Sequence, residues 1–194
     1  MQSHSQISGK FLSHCTGIDG VNLYLVGFRG TGAPAVGRKL AGRVGFTFVD
    51  VQELIVKRLE ETAAAGEGSV GAGMIEAAAA EVFRMVAALN GCVVAAEGDM
   101  IFKTGMIPVI KERGIILWLK ASGRTIVKRI EESMADRFAN GRAITVHVNE
   151  RDIDAALLDV VPLYEDVADF SVDTDGLDID GVADAIWALL WQKG

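Results

Sequence analysis

The sequence has few cysteines, few basic residues and no long run of apolar residues. Cys15 and Cys92 are the only cysteines in 194 residues, too few for a disulfide framework, which favours a reducing, cytoplasmic compartment. No apolar run approaches the roughly 20 residues that span a bilayer, and no stretch of about 7–15 apolar residues near the amino terminus indicates a signal peptide. The 19 basic and 26 acidic residues give a net charge of −7. We therefore expect no membrane segment, and no nucleic-acid partner, because phosphate contacts need a basic face.

The chain nevertheless has enough apolar residues for a substantial core. Half of its residues are hydrophobic and the mean hydropathy is +0.29, which argues against global disorder. A length near 200 residues favours one domain. Regular patterns begin at residue 21, whereas residues 1–20 are polar, aperiodic and interrupted by Ser, His and Gly. The sequence thus predicts a flexible extension over 1–20 and one domain over 21–194.

Short apolar segments alternate with amphipathic segments along this domain. Segments typical of buried parallel strands cover 21–26, 46–49, 92–96, 115–119 and 170–172. Segments with helical periodicity cover 36–44, 51–61, 125–132, 153–164 and 179–191. Strands that alternate with helices form a parallel sheet with helices on both faces. The sequence therefore predicts a single α/β domain.

Two stretches depart from this alternation. Residues 62–81 are rich in Ala and Gly and predict a small helical excursion with a flexible Gly-rich linker. Residues 133–149 have weak periodicity and several chain breakers, so they predict a mobile loop. Loops of that length often act as lids over functional sites.

A glycine-rich loop follows the first predicted strand. Gly27, Gly30 and Gly32 lie in the sequence GFRGTG, and a helix is predicted directly after it. Glycines let the backbone curl its amides around an anion, and the amino-terminal end of the helix adds a positive partial charge. The order strand, GxxxxG, helix is the context of the nucleotide-binding P-loop, whose full form is GxxxxGK[ST]. Ala33 and Pro34 stand at its lysine and hydroxyl positions, and Pro34 also removes a backbone donor.

With these landmarks the chain resembles shikimate kinase, a small P-loop kinase, over about residues 21–193. The resemblance rests on ordered segments, which read NLYLVGFRGTGAPAVGRKLA, FTFVDVQELI, CVVAAEGD, the loop that contains Arg142, and VPLYEDVADFSVDTDG. The last is the most specific, because it is similar to the family's PLYxExAD signature. The resemblance implies a P-loop kinase fold with a five-stranded parallel sheet, a helical substrate subdomain near 52–84 and a lid near 133–149.

The family transfers the γ-phosphoryl group of MgATP to the 3-hydroxyl of shikimate, in aromatic amino-acid biosynthesis. The resemblance therefore implies Mg²⁺ and ATP as cofactors, and shikimate as substrate. It places nucleotide contacts on Gly27, Gly30, Thr31, Gly32 and Arg142, a substrate contact on Gly98 and a metal ligand on Asp50.

Several functional positions of the family carry other residue types in this chain. Besides Ala33 and Pro34, the second acid of the family's Asp-x-Asp pair is replaced by Gln52. The family's two substrate arginines are replaced by Glu76 and Val160. Its Gly-Gly-Gly turn reads Glu97-Gly98-Asp99, and the proline that follows the lid arginine is replaced by Ala143. Five polar contacts are lost, each worth roughly 1.5–3 kcal/mol, so the total is on the order of 7–15 kcal/mol. Enzymes lower barriers by roughly 8–23 kcal/mol. The sequence thus favours loss of phosphoryl transfer, which depends on positioning and electrostatics.

Three functional hypotheses follow. The first is a catalytically inactive or strongly impaired homologue that acts as a binding or regulatory module, with ATP or ADP and an unknown protein as possible partners. The second is a working shikimate kinase, or a related small-molecule kinase, with displaced catalytic groups. Arg29, Arg38 and Lys39 are the basic residues available to supply the missing positive charge. The third is a purely structural or engineered scaffold. Glu97 and Asp99 could form an acidic metal pocket with Asp50, but solvated loop acids are the favoured interpretation.

Overall fold

A computed structural model of the protein describes residues 20–64, 71–138 and 148–191. Five strands form one sheet, in the order β2-β3-β1-β4-β5, and all neighbouring pairs are parallel. The strands are β1 (Asn22–Gly27), β2 (Thr47–Asp50), β3 (Cys92–Glu97), β4 (Gly114–Lys120) and β5 (Phe170–Asp173). The predicted five-stranded parallel sheet is confirmed.

The helices connect these strands and cover both faces of the sheet. They are α1 (Ala33–Val44), α2 (Val51–Ala64), α3 (Ala72–Ala87), α4 (Met100–Lys103), α5 (Ile107–Arg113), α6 (Gly123–Phe138), α7 (Glu150–Val167) and α8 (Ile179–Trp191). None of the helices in the described part of the chain is long and apolar enough to cross a membrane. The cytoplasmic location inferred from the cysteine content stays a prediction.

The central strand β1 divides the core into two halves because its side chains alternate between the faces. Leu23 and Leu25 pack on one face, together with the apolar residues of α1 and α8. Tyr24 and Val26 pack on the other face, together with α2, α3 and α7. All six residues of β1 are buried, as expected for a parallel strand covered on both sides.

Some predicted boundaries differ from the structure. Helix α6 continues to Phe138, so residues 133–138 are helical where the sequence predicts a loop. Helix α1 begins at Ala33, because Pro34 in its first turn has a φ angle that already suits a helix. The short helices α4 and α5 were not predicted. The flexible extension 1–20, apart from Gly20, the Gly-rich linker 65–70 and the lid segment 139–147 lie outside the described residues.

Parallel pairing brings two loops together at the carboxyl end of the sheet. In the register between β1 and β3, Gly27 lies opposite Glu97. The glycine loop after β1 and the turn after β3 therefore start side by side. Ligand sites of open α/β sheets lie at this edge, outside the carboxyl ends of the strands.

Candidate functional site

The glycine loop has the curled backbone that its sequence predicts. Gly30 and Gly32 have φ angles of +90° and +93°, in the left-handed region that favours glycine. Gly27 is extended and is required for space, since a Cβ there would lie 2.7 Å from the carbonyl oxygen of Leu119. Thr31 is buried, and its hydroxyl donates a hydrogen bond to the carbonyl oxygen of Phe28 at 2.9 Å. Thr31 therefore stabilises the loop from within.

The carboxylate of Glu97 lies against the end of this loop. Its Oε1 atom accepts hydrogen bonds from the backbone N–H of Gly32 at 3.2 Å and of Ala33 at 3.1 Å. These two amides stand at the amino-terminal end of α1, where N–H groups have no partner within the helix. The interpretation of Glu97 as a solvated loop acid is therefore wrong. The parallel register beside Gly27 explains why, because it directs the end of β3 to the loop.

Three contacts hold the backbone that carries this carboxylate. The N–H of Gly98 donates to the carbonyl oxygen of Gly27 at 2.8 Å. The amide nitrogen Nε2 of Gln52 donates to the carbonyl oxygen of Glu97 at 3.2 Å, and the hydroxyl of Tyr164 donates to that of Gly98 at 2.9 Å. Gly98, which the resemblance assigns to substrate, has a φ of +83° and forms part of this turn.

Burial controls the electrostatics of the site. Burial raises the pKa of Glu97, the N–H groups of Ala33 and Gly32 oppose this shift, and the negative charge of Asp50 adds to it. Burial also raises the pKa of Tyr164, with further contributions from the charges of Asp99 and Glu97. The hydroxyl of Tyr164 is therefore protonated at neutral pH and can donate its hydrogen bond.

We expect the titration of Glu97 to lower the protein's stability as the pH rises between the pKa of this carboxyl in the unfolded chain and its pKa in the folded protein. Because its pKa is raised on folding, the folded protein binds this proton more tightly than the unfolded chain. The resulting stabilisation is fully present below the pKa of the unfolded carboxyl and is lost as the pH rises through the pKa of the folded one. Glu97→Gln does not titrate and lacks this fall. Urea unfolding of both proteins between about pH 4 and 8 measures the difference, and parallel curves would contradict the assignment.

Asp50, the predicted metal ligand, has local partners. Its Oδ1 atom accepts from the backbone N–H of Gln52 at 3.0 Å and of Glu53 at 3.4 Å, at the start of α2. The guanidinium of Arg38 lies 3.9 Å from its Oδ2 atom. In the described ranges, no cluster of three or more His, Cys, Asp or Glu side chains could hold a metal ion. This carboxylate therefore caps the start of α2 through its Oδ1 atom. Its role as a metal ligand stays a prediction.

The positions to which the resemblance assigns substrate arginines bring no cation to the site. Glu76 is exposed on α3, and Val160 packs against the core from α7. Among the alternative cations, Arg38 pairs with Glu53 at 2.9 Å and Lys39 pairs with Asp180 at 2.7 Å. Both pairs lie on the surface around α1. The lid residue Arg142 lies outside the described residues.

Arg129 is a residue of the site that sequence reasoning missed. From α6 its guanidinium donates to the carbonyl oxygen of Thr31 at 3.1 Å, and to the hydroxyl and carbonyl oxygens of Thr174 at 2.9 and 2.8 Å. It thus ties the glycine loop to the segment after β5. Its position within a helical pattern with other charged residues gave no signal, since such residues are usually solvated.

A cavity of about 310 Å³ opens beside the loop at the end of β4. Its lining includes Phe28, Trp118, Lys120, Leu157, Tyr164 and Glu165. The rings of Trp118 and Tyr164 stack with centroids 5.7 Å apart, and the ammonium of Lys120 lies 5.6 Å from the Trp118 ring. An aromatic wall with one cation and one acid suits a small organic molecule.

Comparisons with known proteins agree with this architecture. A family model described as Shikimate kinase matches residues 29–191. The shikimate kinase of Thermodesulfovibrio yellowstonii is 31% identical over 165 residues, which cover 85% of this chain and 92% of that protein. The solved structure of the shikimate kinase from Acinetobacter baumannii in complex with shikimate superposes with a TM-score of 0.73 at 23% identity, covering 94% of this chain and 98% of that one. The crystal structure of the shikimate kinase from Bacteroides thetaiotaomicron superposes with a TM-score of 0.69 at 18% identity, covering 88% of this chain and 98% of that one. At these identities the two structures support the fold alone.

Proposed function

The chain belongs to the shikimate kinase family, and from that premise we propose that it is a catalytically inactive member that acts as a binding or regulatory module. Kinases of this family bind ATP with Mg²⁺ and transfer its γ-phosphoryl group to shikimate. Within this proposal, the helices of the segment 52–84 correspond to the family's substrate subdomain. Residues 133–149 correspond to the lid, and Arg142 corresponds to the lid arginine.

The observation that carries the proposal is the junction between the glycine loop and α1. Ala33 is the first residue of the helix, and its side chain is completely buried. A methyl group there supplies no cation for the β- and γ-phosphates, and Pro34 supplies no hydroxyl for a metal. The backbone cradle of a P-loop is thus present without the side chains that do the chemistry. Phosphoryl transfer depends almost entirely on such positioning and charge.

The carboxylates near the loop support the same conclusion. Asp50 caps α2 and Glu97 contacts the loop amides. Gln52, at the position where the resemblance expects an acid that faces the substrate hydroxyls, donates to the carbonyl oxygen of Glu97 instead. Asp50 and Glu97 therefore each use one carboxylate oxygen as an acceptor for backbone N–H groups, which supports a structural role for both. The cavity at the end of β4 remains available for a small molecule, which suits a binding role.

We expect no shikimate 3-phosphate from this protein above the enzyme-free blank. The test is a long incubation with millimolar MgATP and shikimate, read by mass spectrometry, with the shikimate kinase of Thermodesulfovibrio yellowstonii as positive control. Product from the unmodified protein would contradict the proposal.

A second arm of this assay uses the double variant Ala33→Lys and Pro34→Ser, which restores the two motif side chains. We expect it to be inactive as well, because Glu97 still contacts the loop amides. Strong recovery in this variant alone would mean that the two side chains by themselves limit the reaction. That result would leave the inactivity of the natural sequence in place.

A further inference from the structure

We infer that Glu97 is a built-in anion of the glycine loop, which occupies the phosphate position and keeps inorganic phosphate and phosphate monoesters out. The inference goes beyond the proposed function, because it concerns what the loop binds rather than whether a phosphoryl group is transferred. It rests on the contact between the carboxylate and the amides of Gly32 and Ala33.

The backbone of the loop has the form of an anion cradle. Its glycines adopt the left-handed conformations that turn consecutive N–H groups inward, and α1 is 12 residues long and starts at the loop. Backbone amides at the start of a helix bind phosphate and carboxylate oxygens by the same hydrogen bonds. A single oxygen, Oε1 of Glu97, accepts two of these bonds. A phosphate oxygen in that place would have to displace it.

The carboxylate is held in place by the turn that carries it. The backbone of Glu97 and Gly98 is fixed from three elements, by Gly27 at the end of β1, Gln52 on α2 and Tyr164 on α7. An anion that is attached to the protein in this way has a high effective concentration at the loop, of millimolar or more even for flexible attachments. Free phosphate loses translational freedom on binding, whereas Glu97 does not.

Charge adds to this exclusion. A phosphate at the loop would lie within a few ångströms of the Glu97 carboxylate, and Asp50 already acts electrostatically on the same group. Like charges at such distances repel strongly in a partly buried site. Among the ion pairs of the described residues, Arg129 forms none with Glu97, and its guanidinium donates to oxygens of Thr31 and Thr174 instead.

The experiment measures binding of inorganic phosphate and of ADP by calorimetry to the natural protein and to Glu97→Ala, Glu97→Gln and Asp99→Asn. We expect Glu97→Ala to bind phosphate about tenfold more tightly or better than the natural protein. The phosphate affinity of Glu97→Gln should lie between those two affinities, because the glutamine amide oxygen can accept the same hydrogen bonds without the negative charge. Asp99→Asn is the matched control: it removes one nearby negative charge, but Asp99 pairs with Lys103 at 2.7 Å and makes no contact with the loop amides.

Nuclear magnetic resonance of the amides of Gly32 and Ala33 locates the effect. In Glu97→Ala these two signals should shift, and they should move again on addition of phosphate. Three results would overturn the inference: phosphate binding by the natural protein as tight as by Glu97→Ala, an equal gain in Asp99→Asn, or no gain in a folded Glu97→Ala. If Glu97→Ala does not fold, Glu97→Gln decides, and a gain below about twofold overturns the inference. None of these readouts depends on shikimate phosphorylation, so the inference and the proposed function fail separately.

Discussion

Replacing Asn22 with alanine is expected to lower the free energy of unfolding by about 3–5 kcal/mol. Asn22 begins β1 and is 1% exposed. Its Nδ2 atom donates to the carbonyl oxygens of Val86 at 3.2 Å and Leu89 at 2.9 Å, and its Oδ1 atom accepts from the N–H of Cys92 at 3.0 Å. One buried side chain thus joins the end of α3 and the start of β3 to the centre of the sheet.

The size of this effect follows from what the substitution leaves behind. Alanine removes all three hydrogen bonds, and each buried backbone group left without a partner costs roughly 1–3 kcal/mol. Urea unfolding with linear extrapolation measures the loss. Asn90→Ala is the matched control: Asn90 lies in the same connection between α3 and β3 but is exposed, so we expect a change within about 0.5 kcal/mol. A loss below about 1 kcal/mol for Asn22→Ala would contradict the expectation.

Replacing Arg129 with alanine is expected to cost about 2–4 kcal/mol and to loosen the glycine loop. The guanidinium makes three hydrogen bonds of 3.1 Å or less, to Thr31 and to Thr174, and the Thr174 residue is completely buried. Hydrogen bonds from a charged donor are worth more than neutral ones. Without them, the loop and the segment after β5 lose the side chain that connects them.

Two readouts check this second expectation. Chemical unfolding measures the global loss, and hydrogen exchange of the amides of Gly32 and Ala33 measures the local one. Arg124→Ala is the control, because Arg124 lies on the same helix and is exposed. Arg129→Lys keeps the charge but not the planar fork of donors, and we expect it to recover only part of the stability. Arg129→Ala within about 0.5 kcal/mol of the natural protein would show that these bonds contribute nothing to stability.

Much of the fold could be predicted from the sequence because its signals are local. Each of the five predicted strands lies within about one residue of an observed one at either end. The apolar segments and the helical periodicity report burial directly. The ends of helices were harder to predict from the sequence. Helix α6 continues to Phe138. Helix α7 begins at Glu150, where the side chain of Asn149 accepts a hydrogen bond from the N–H of Arg151. Such boundaries depend on single caps and on packing, to which periodicity is insensitive.

In the candidate site, too, the features set by neighbouring residues could be predicted from the sequence, whereas the contacts between distant residues could not. The sequence by itself determined the glycine loop, the helix that follows it and the absence of a lysine and a hydroxyl at Ala33 and Pro34, because these are properties of neighbouring residues. Only the tertiary structure decided the partners of Glu97 and Arg129. Glu97 reaches Ala33 across 64 positions of sequence and Arg129 reaches Thr31 across 98. Hydrogen bonds of that kind are set by strand register and by helix packing, and the register that pairs Gly27 with Glu97 is what makes an ordinary acidic residue the internal ligand of the loop.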